Sequence, residues 1–166
     1  MSAPGTPRCV LITGAIGSGK TFVASKIVGS FESPYISPDL YFQYLIRCTC
    51  CQSDERYDRA RKLCRQRIHL LRDEGQSFVW ETVVSSEWKW NFLRRCRESH
   101  FLTVLYVTVQ SPDTCLQRAE RRANAGWYRV SAEKVVESYC SMEQGKARLA
   151  EVAHELISID NSHDLI

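Results

Sequence analysis

The sequence holds no apolar run of membrane length. Its opening residues, between Met1 and Arg8, are Ser, Ala, Pro, Gly and Thr rather than a charged segment leading into an apolar one. A cytoplasmic protein with no leader and no membrane partner is therefore expected. Internal repeats, low-complexity tracts and long linkers are also missing, which argues for one domain. Neither charge sign dominates: the formal net charge is +3. That surplus suits an anionic substrate but is too small to indicate nucleic acid by itself.

What is present is a chain of 166 residues, enough to bury a proper core, with 44% apolar and 25% charged residues. Eight cysteines are many for a reducing compartment, where thiols stay reduced. Cys9, Cys96, Cys115 and Cys140 fall in apolar periodic segments and read as small buried hydrophobes. Cys48, Cys50 and Cys51 cluster. With Cys64 as the only nearby fourth ligand and no histidine before His69, they match no standard zinc spacing.

Short apolar runs alternate with longer helical patterns. Residues 8–13 read as a buried strand, 20–29 as a helix, 34–36 as a short strand and 39–47 as a second helix. Residues 54–74 form a long amphipathic pattern. Tyr57, Ala60, Leu63, Cys64, Ile68 and Leu71 share its apolar stripe, and Gly75 is its stop signal. The basic stretch 56–72 reads as a solvated face, since Asp54, Glu55, Asp58, Asp73 and Glu74 offset much of its charge. A strand over 77–80 ends at Glu81, a helix covers 87–98, and 101–109 is a β-branched central strand. Trp88 and Trp90 alternate, so both cannot face the core of one helix. Ser111 as N-cap and Pro112 at the first position open a helix to about Asn124, ended by Gly126. Residues 132–141 and 146–153 read as two further helices, and 155–159 as the last strand. The alternation predicts an α/β fold with a mostly parallel, five-stranded sheet and helices on both faces.

Gly14-Ala15-Ile16-Gly17-Ser18-Gly19-Lys20-Thr21 matches G-x-x-x-x-G-K-[ST] completely, between an apolar strand and a helical pattern. Glycines let the backbone curl so that its N–H groups converge on phosphate oxygens, and the helix N-terminus adds its dipole. Lys20 would reach the β- and γ-phosphates, and the Thr21 hydroxyl would ligate Mg²⁺. The expectation is a three-layer P-loop NTPase fold over residues 8–166, preceded by a flexible tail over 1–7. It would use ATP or GTP with Mg²⁺. No motif that reads guanine is evident.

A kinase of this kind needs a carboxylate near a strand end to receive the acceptor's proton. Asp39, in Ser37-Pro38-Asp39 after the second strand, stands where ligands of open α/β sheets bind; the alternative is a helix N-cap. Glu81 and Thr82 end the third strand on the same rim. Glu81 could bind substrate or hold a Mg²⁺ water, or be a solvated strand end. Transfer also needs cations over the γ-phosphate. Arg118 and Arg122 lie one turn apart on a helix with Arg121 beside them, and Arg129 follows in a glycine-containing stretch that could be a lid. The alternative is an ordinary solvated basic face.

With these pieces together, the chain resembles the zeta-toxin-like family of P-loop kinases over nearly its whole length. The added motifs are Ser37-Pro38-Asp39-Leu40, the segment from Gly75 to Glu81-Thr82, and the spacing Arg118-Ala119 … Arg122-Ala123 … Gly126. Val135, Val136 and Tyr139, and the ending Asp160-Asn161-Ser162, are similar too. The resemblance implies phosphorylation of a small-molecule hydroxyl by ATP, the best-known acceptor being a UDP-activated amino sugar. It implies Asp39 as base, Glu81 as acceptor-binding residue and Arg118 as γ-phosphate contact. The lid departs from the family: the usual His position is Tyr128, and Arg129 stands where an acid is common. The partners to expect are a small-molecule acceptor and an antitoxin or regulatory protein. Two other readings remain: a nucleotide-binding module or slow ATPase acting through a protein partner, and a nucleic-acid end kinase.

Overall fold

Alternating apolar strands and amphipathic helices assemble here into a parallel sheet. The computed structural model describes residues 5–46 and 53–163. In chain order these contain β1 (Arg8–Gly14), α1 (Lys20–Ile27), a 3₁₀ turn (Val28–Ser30), β2 (Tyr35–Ile36), α2 (Pro38–Leu45), α3 (Ser53–Asp73) and β3 (Phe78–Glu81). Then follow α4 (Glu87–Ser99), β4 (Phe101–Thr108), α5 (Pro112–Asn124), α6 (Ala132–Val152) and β5 (Glu155–Asp160). The strand order is β2-β3-β1-β4-β5, and every pair is parallel. β1 is therefore central, with Ile12 opposite Glu81 on one side and Leu105 on the other.

Strand alternation sends two apolar sets to opposite faces. Leu11, Trp80, Val104 and Tyr106 pack beneath α3, α4 and α6, against Ile68, Leu71, Phe92, Leu93, Met142 and Leu149. Val10, Ile12, Val79, Leu105 and Val107 face the other way, onto Val23 and Ala24 of α1. Each such side chain contributes about 1.5–3 kcal/mol on burial. A third cluster joins Ala15 of the loop after β1 to Val109, Cys115 of α5 and Val135 of α6, so two helices brace that loop.

Most expected elements are present, and the differences have local causes. The two helices expected at 132–141 and 146–153 are one, α6. Gly145 does not break it, because the glycine lies beneath the Trp90 ring, 3.4 Å from where a Cβ would sit. Cys9, Cys96 and Cys115 are buried as expected, but Cys140 is exposed, on the solvent side of α6. Pro7, placed in the flexible tail by the sequence pattern, accepts a hydrogen bond from the Phe101 N–H at 2.8 Å. Gly75 ends α3 as expected: its N–H bonds Arg72 O and that of Gln76 bonds Leu71 O. Cys48, Cys50 and Cys51 lie outside the described residues. Among the described residues no helix is long and apolar enough to cross a membrane.

Candidate active site

The loop between β1 and α1 is held from both sides. Gly17 has φ 83° and Gly19 φ 90°, a region that side chains rarely occupy. A Cβ on Gly17 would lie 2.3 Å from the Cys115 carbonyl of α5, and one on Gly19 would lie 2.1 Å from Asn161 Nδ2. Lys20 Nζ donates to Ala15 O across the loop at 2.7 Å. Lys20 is buried, and burial pushes its ammonium below its ordinary value, opposed by Glu81 and Asp39. Ile16 N–H donates to Ser138 Oγ at 3.0 Å, which fixes the loop to α6. Ser18 Oγ is buried inside the loop with no protein partner, a polar atom suited to a phosphate oxygen.

Glu81 and Thr82 stand at the end of β3, both buried, so the alternative of a solvated strand end does not apply. Thr21 Oγ1 donates to Glu81 Oε1 at 2.8 Å, and the Tyr35 hydroxyl donates to Glu81 Oε2. A hydroxyl and a carboxylate oxygen thus share one spot beside the loop, and hard oxygen donors of this kind suit Mg²⁺. Among the described residues no group of three or more His, Cys, Asp or Glu is gathered to hold a metal. Mg²⁺ does not need one, since it is commonly held by one or two protein oxygens and substrate phosphates.

Asp39 sits in the first turn of α2, where Ser37 and not Asp39 is the N-cap residue. Its carboxylate is turned across the site instead. Oδ2 accepts from Arg122 Nη2 at 2.7 Å, and Oδ1 lies 3.5 Å from the Tyr57 hydroxyl. Burial and the charge of Asp39 both hold the Tyr57 phenol well above its ordinary value, so Tyr57 stays a donor. Arg118 follows another route. Its Nη2 donates to Asn161 O at 2.9 Å, and its Nη1 reaches Ser18 O at 3.5 Å.

Two cavities open at the carboxyl ends of the strands. The smaller, about 280 Å³, is lined by Gly19, Thr21, Phe22, Arg118, Arg121, Asn161 and His163. The larger, about 620 Å³, is lined by Asp39, Tyr57, Arg61, Arg65, Trp80, Thr82, Trp88, Lys89, Tyr128 and Ser138, among others. They meet at Gly17, Lys20, Glu81 and Arg122, which line both. Of the two alternating tryptophans, Trp90 is core and Trp88 lines the larger cavity.

Seven of the loop's eight residues and their partners Asp39, Glu81, Thr82, Arg118 and Arg122 thus lie close together, and the eighth, Gly14, begins the loop as the last residue of β1. Arg129 does not join them. It is exposed, donates to Asn124 at 3.3 Å and lines neither cavity. Tyr128 occupies the lid position against the cavity, stacked on Tyr57 with centroids 4.1 Å apart. On the basic face of α3, Arg61 and Arg65 are exposed, as expected, and line the larger cavity. Sequence reasoning names Asn161 in the ending Asp160-Asn161-Ser162 but gives it no role; its Nδ2 donates to Ser18 O at 2.8 Å. It passes over Tyr35, Ser138 and Lys89, and no short motif marks them, since each is brought in by another element of the sheet or its helices.

Comparison with known proteins follows this geometry. A family model described as AAA domain matches residues 9–152. No curated protein matches the sequence. Among solved structures, a protein from Chloroflexus aurantiacus provisionally described as a kinase aligns with TM-score 0.71 at 15% identity, over 97% of this chain and 92% of that one. The PezAT chromosomal toxin–antitoxin system of Streptococcus pneumoniae aligns with TM-score 0.68 at 15% identity, over 96% and 69%. Shikimate kinase from Acinetobacter baumannii, in complex with shikimate, aligns with TM-score 0.57 at 15% identity, over 95% and 87%. Two further neighbours are longer, and the chain spans 46% and 55% of them. At such identities the likeness is one of fold: a parallel α/β sheet of the P-loop kinase kind.

Proposed function

The chain belongs to this AAA-domain family and has a P-loop kinase-like fold, and on that premise we propose that it is a cytoplasmic phosphotransferase, moving a phosphoryl group from ATP to a hydroxyl of a small molecule. A UDP-activated amino sugar is one candidate acceptor. One observation carries the reading: a donor-side and an acceptor-side cavity meet at Lys20, Glu81 and Arg122, with Asp39 on the acceptor side, 2.7 Å from Arg122.

The loop backbone and Lys20 hold the donor phosphates. Thr21 and Glu81 would hold Mg²⁺, which would supply neutralisation of phosphate charge. Asp39 lines the larger cavity, with Oδ2 held by Arg122 and Oδ1 only 3.5 Å from the Tyr57 hydroxyl that lines the same cavity. Oδ1 therefore accepts the acceptor hydroxyl's proton as its oxygen bonds to phosphorus and the bond to the ADP oxygen breaks, the electron pair leaving with ADP. Arg122 and Arg118 neutralise charge that develops in transfer. Arg129, away from both cavities, has no part in this scheme.

The test is transfer from labelled ATP with Mg²⁺ into a panel of nucleotide sugars, nucleosides, hydroxy acids and oligonucleotides, beside Asp39→Asn. A labelled small-molecule product, reduced about 10²–10⁴-fold in the variant with the KM for ATP unchanged, is expected. A product equally abundant in the variant would remove Asp39 as base. ATP bound without product from any acceptor would turn the reading to a nucleotide-binding module acting through a partner.

A further inference from the structure

The far wall of the larger cavity carries charge that the transfer scheme does not use. Lys89 of α4 lies partly buried beside the Trp88 ring, its Nζ 5.7 Å from the ring centre, and donates to Val83 O at 2.5 Å. Arg65 of α3 lies over the same ring, 4.6 Å from its centre. Among the described residues neither cation has a carboxylate partner. Arg61, beside them and itself exposed, is paired among the described residues only with the exposed Asp58 of its own helix, at 3.3 Å. Of the acids lining the cavity, Asp39 and Glu81 are engaged with Arg122 and Thr21, and the third, Glu137, stands on α6. Burial, with Arg61 and Lys20 nearby, holds the Lys89 ammonium down at about 8. A lysine so placed is destabilised by its surroundings unless an anion joins it.

We propose that Lys89, Arg65 and Arg61 form an oxyanion subsite, so that the phosphate acceptor carries a phosphate or carboxylate group in addition to the hydroxyl presented to Asp39. This rests on the phosphotransferase reading and narrows it: the subsite reads acceptor charge, and Asp39 and Lys20 act on the hydroxyl and the donor. The wall is built from α3 and α4, whereas the donor site is built from the P-loop and α5. Donor binding and acceptor charge are therefore read by separate side chains.

Two measurements test it. The first needs no turnover. With the donor site saturated by a non-hydrolysable ATP analogue and Mg²⁺, inorganic phosphate should bind the protein with a Kd in the millimolar range by titration calorimetry. Lys89→Met should weaken that binding at least tenfold, Arg65→Gln should weaken it as well, and Lys89→Arg should restore it, all with unchanged affinity for the ATP analogue. Absence of phosphate binding, or equal binding in Lys89→Met and Arg65→Gln, overturns the subsite. The second compares matched acceptors, such as glucosamine with glucosamine 1-phosphate, glucose with gluconate, and a nucleoside with its monophosphate. Charged members should be used with KM values at least tenfold lower, an advantage lost in Lys89→Met. Equal KM values within pairs also overturn it. A protein that binds phosphate through Lys89 yet transfers nothing would instead count against the phosphotransferase reading and leave the subsite standing.

Discussion

Replacing Gly19 by alanine should act through Asn161, and the size of the effect can be worked from the geometry. An alanine at φ 90° costs about 1–2 kcal/mol in backbone strain. Its Cβ would also stand 2.1 Å from Asn161 Nδ2, so the amide must leave Ser18 O, where it now donates at 2.8 Å. That loss adds about 1 kcal/mol. Gly19→Ala should therefore destabilise by about 2–3 kcal/mol and Asn161→Ala alone by about 1 kcal/mol. In the double variant the steric conflict is already gone, leaving about 2–3 kcal/mol rather than the sum. The cycle should show a coupling of about 1 kcal/mol, readable by urea unfolding or as a shift of roughly 2–4 °C in melting temperature. Gly17→Ala is the contrasting case. Its Cβ would meet the backbone carbonyl of Cys115 at 2.3 Å, which no side-chain truncation can move. Asn161→Ala should leave the cost of Gly17→Ala unchanged. Strict additivity between Gly19→Ala and Asn161→Ala would refute the contact between the loop and the chain after β5.

Lys20→Ala should abolish phosphate transfer while leaving a single cooperative unfolding transition; an undiminished rate would remove the P-loop lysine from the mechanism. Glu81→Gln keeps an oxygen for the Thr21 contact but removes the carboxylate charge of that pair, so the Mg²⁺ concentration for half-maximal rate should rise about tenfold. An unchanged Mg²⁺ titration would show that Glu81 is structural. The pH profile should follow Lys89, which keeps its proton below about pH 8 and loses it above. Because the anion needs the charged form, kcat/KM for a charged acceptor should fall as Lys89 loses its proton above about pH 8. Arg61, Arg65, Lys20, Glu81 and Glu137 line the same cavity. Lys89→Arg is therefore the control, and its profile should lose that fall; an identical profile would place the titration on another group.

The parts legible in the sequence were those written in local pattern. The P-loop spans consecutive residues, the inner strands β1, β3 and β4 are largely apolar runs, and α5 carries its own start in Ser111 and Pro112. Residues defined by direction were harder to read. Arg129 looked like a lid cation because it follows Gly126, yet its side chain turns back to Asn124. Asp39 could be read as a cap or a base, and only the fold turns it toward Arg122 of a helix far along the chain. Lys89 resembled one more polar residue on an amphipathic helix. Its setting comes from Arg61 and Arg65 of α3 and Lys20 of α1, which no window of sequence holds together. The break expected between 141 and 146 is absent: Gly145, which falls there, is packed under Trp90 within one helix.

The central position of β1 bears on how the chain is made as well as how it works. β1 is synthesised before the other strands, but its two neighbours, β3 and β4, begin only at Phe78 and Phe101. At about 5–20 residues per second, the run Cys9-Val10-Leu11-Ile12 waits on the order of 5–20 s for its second partner. Both of its edges are open to other nascent chains until β3 is made, and one edge stays open until β4 follows. The P-loop is thus carried by the strand most in need of protection during translation, so the yield of folded protein should depend on chaperone supply more steeply than its final stability would indicate.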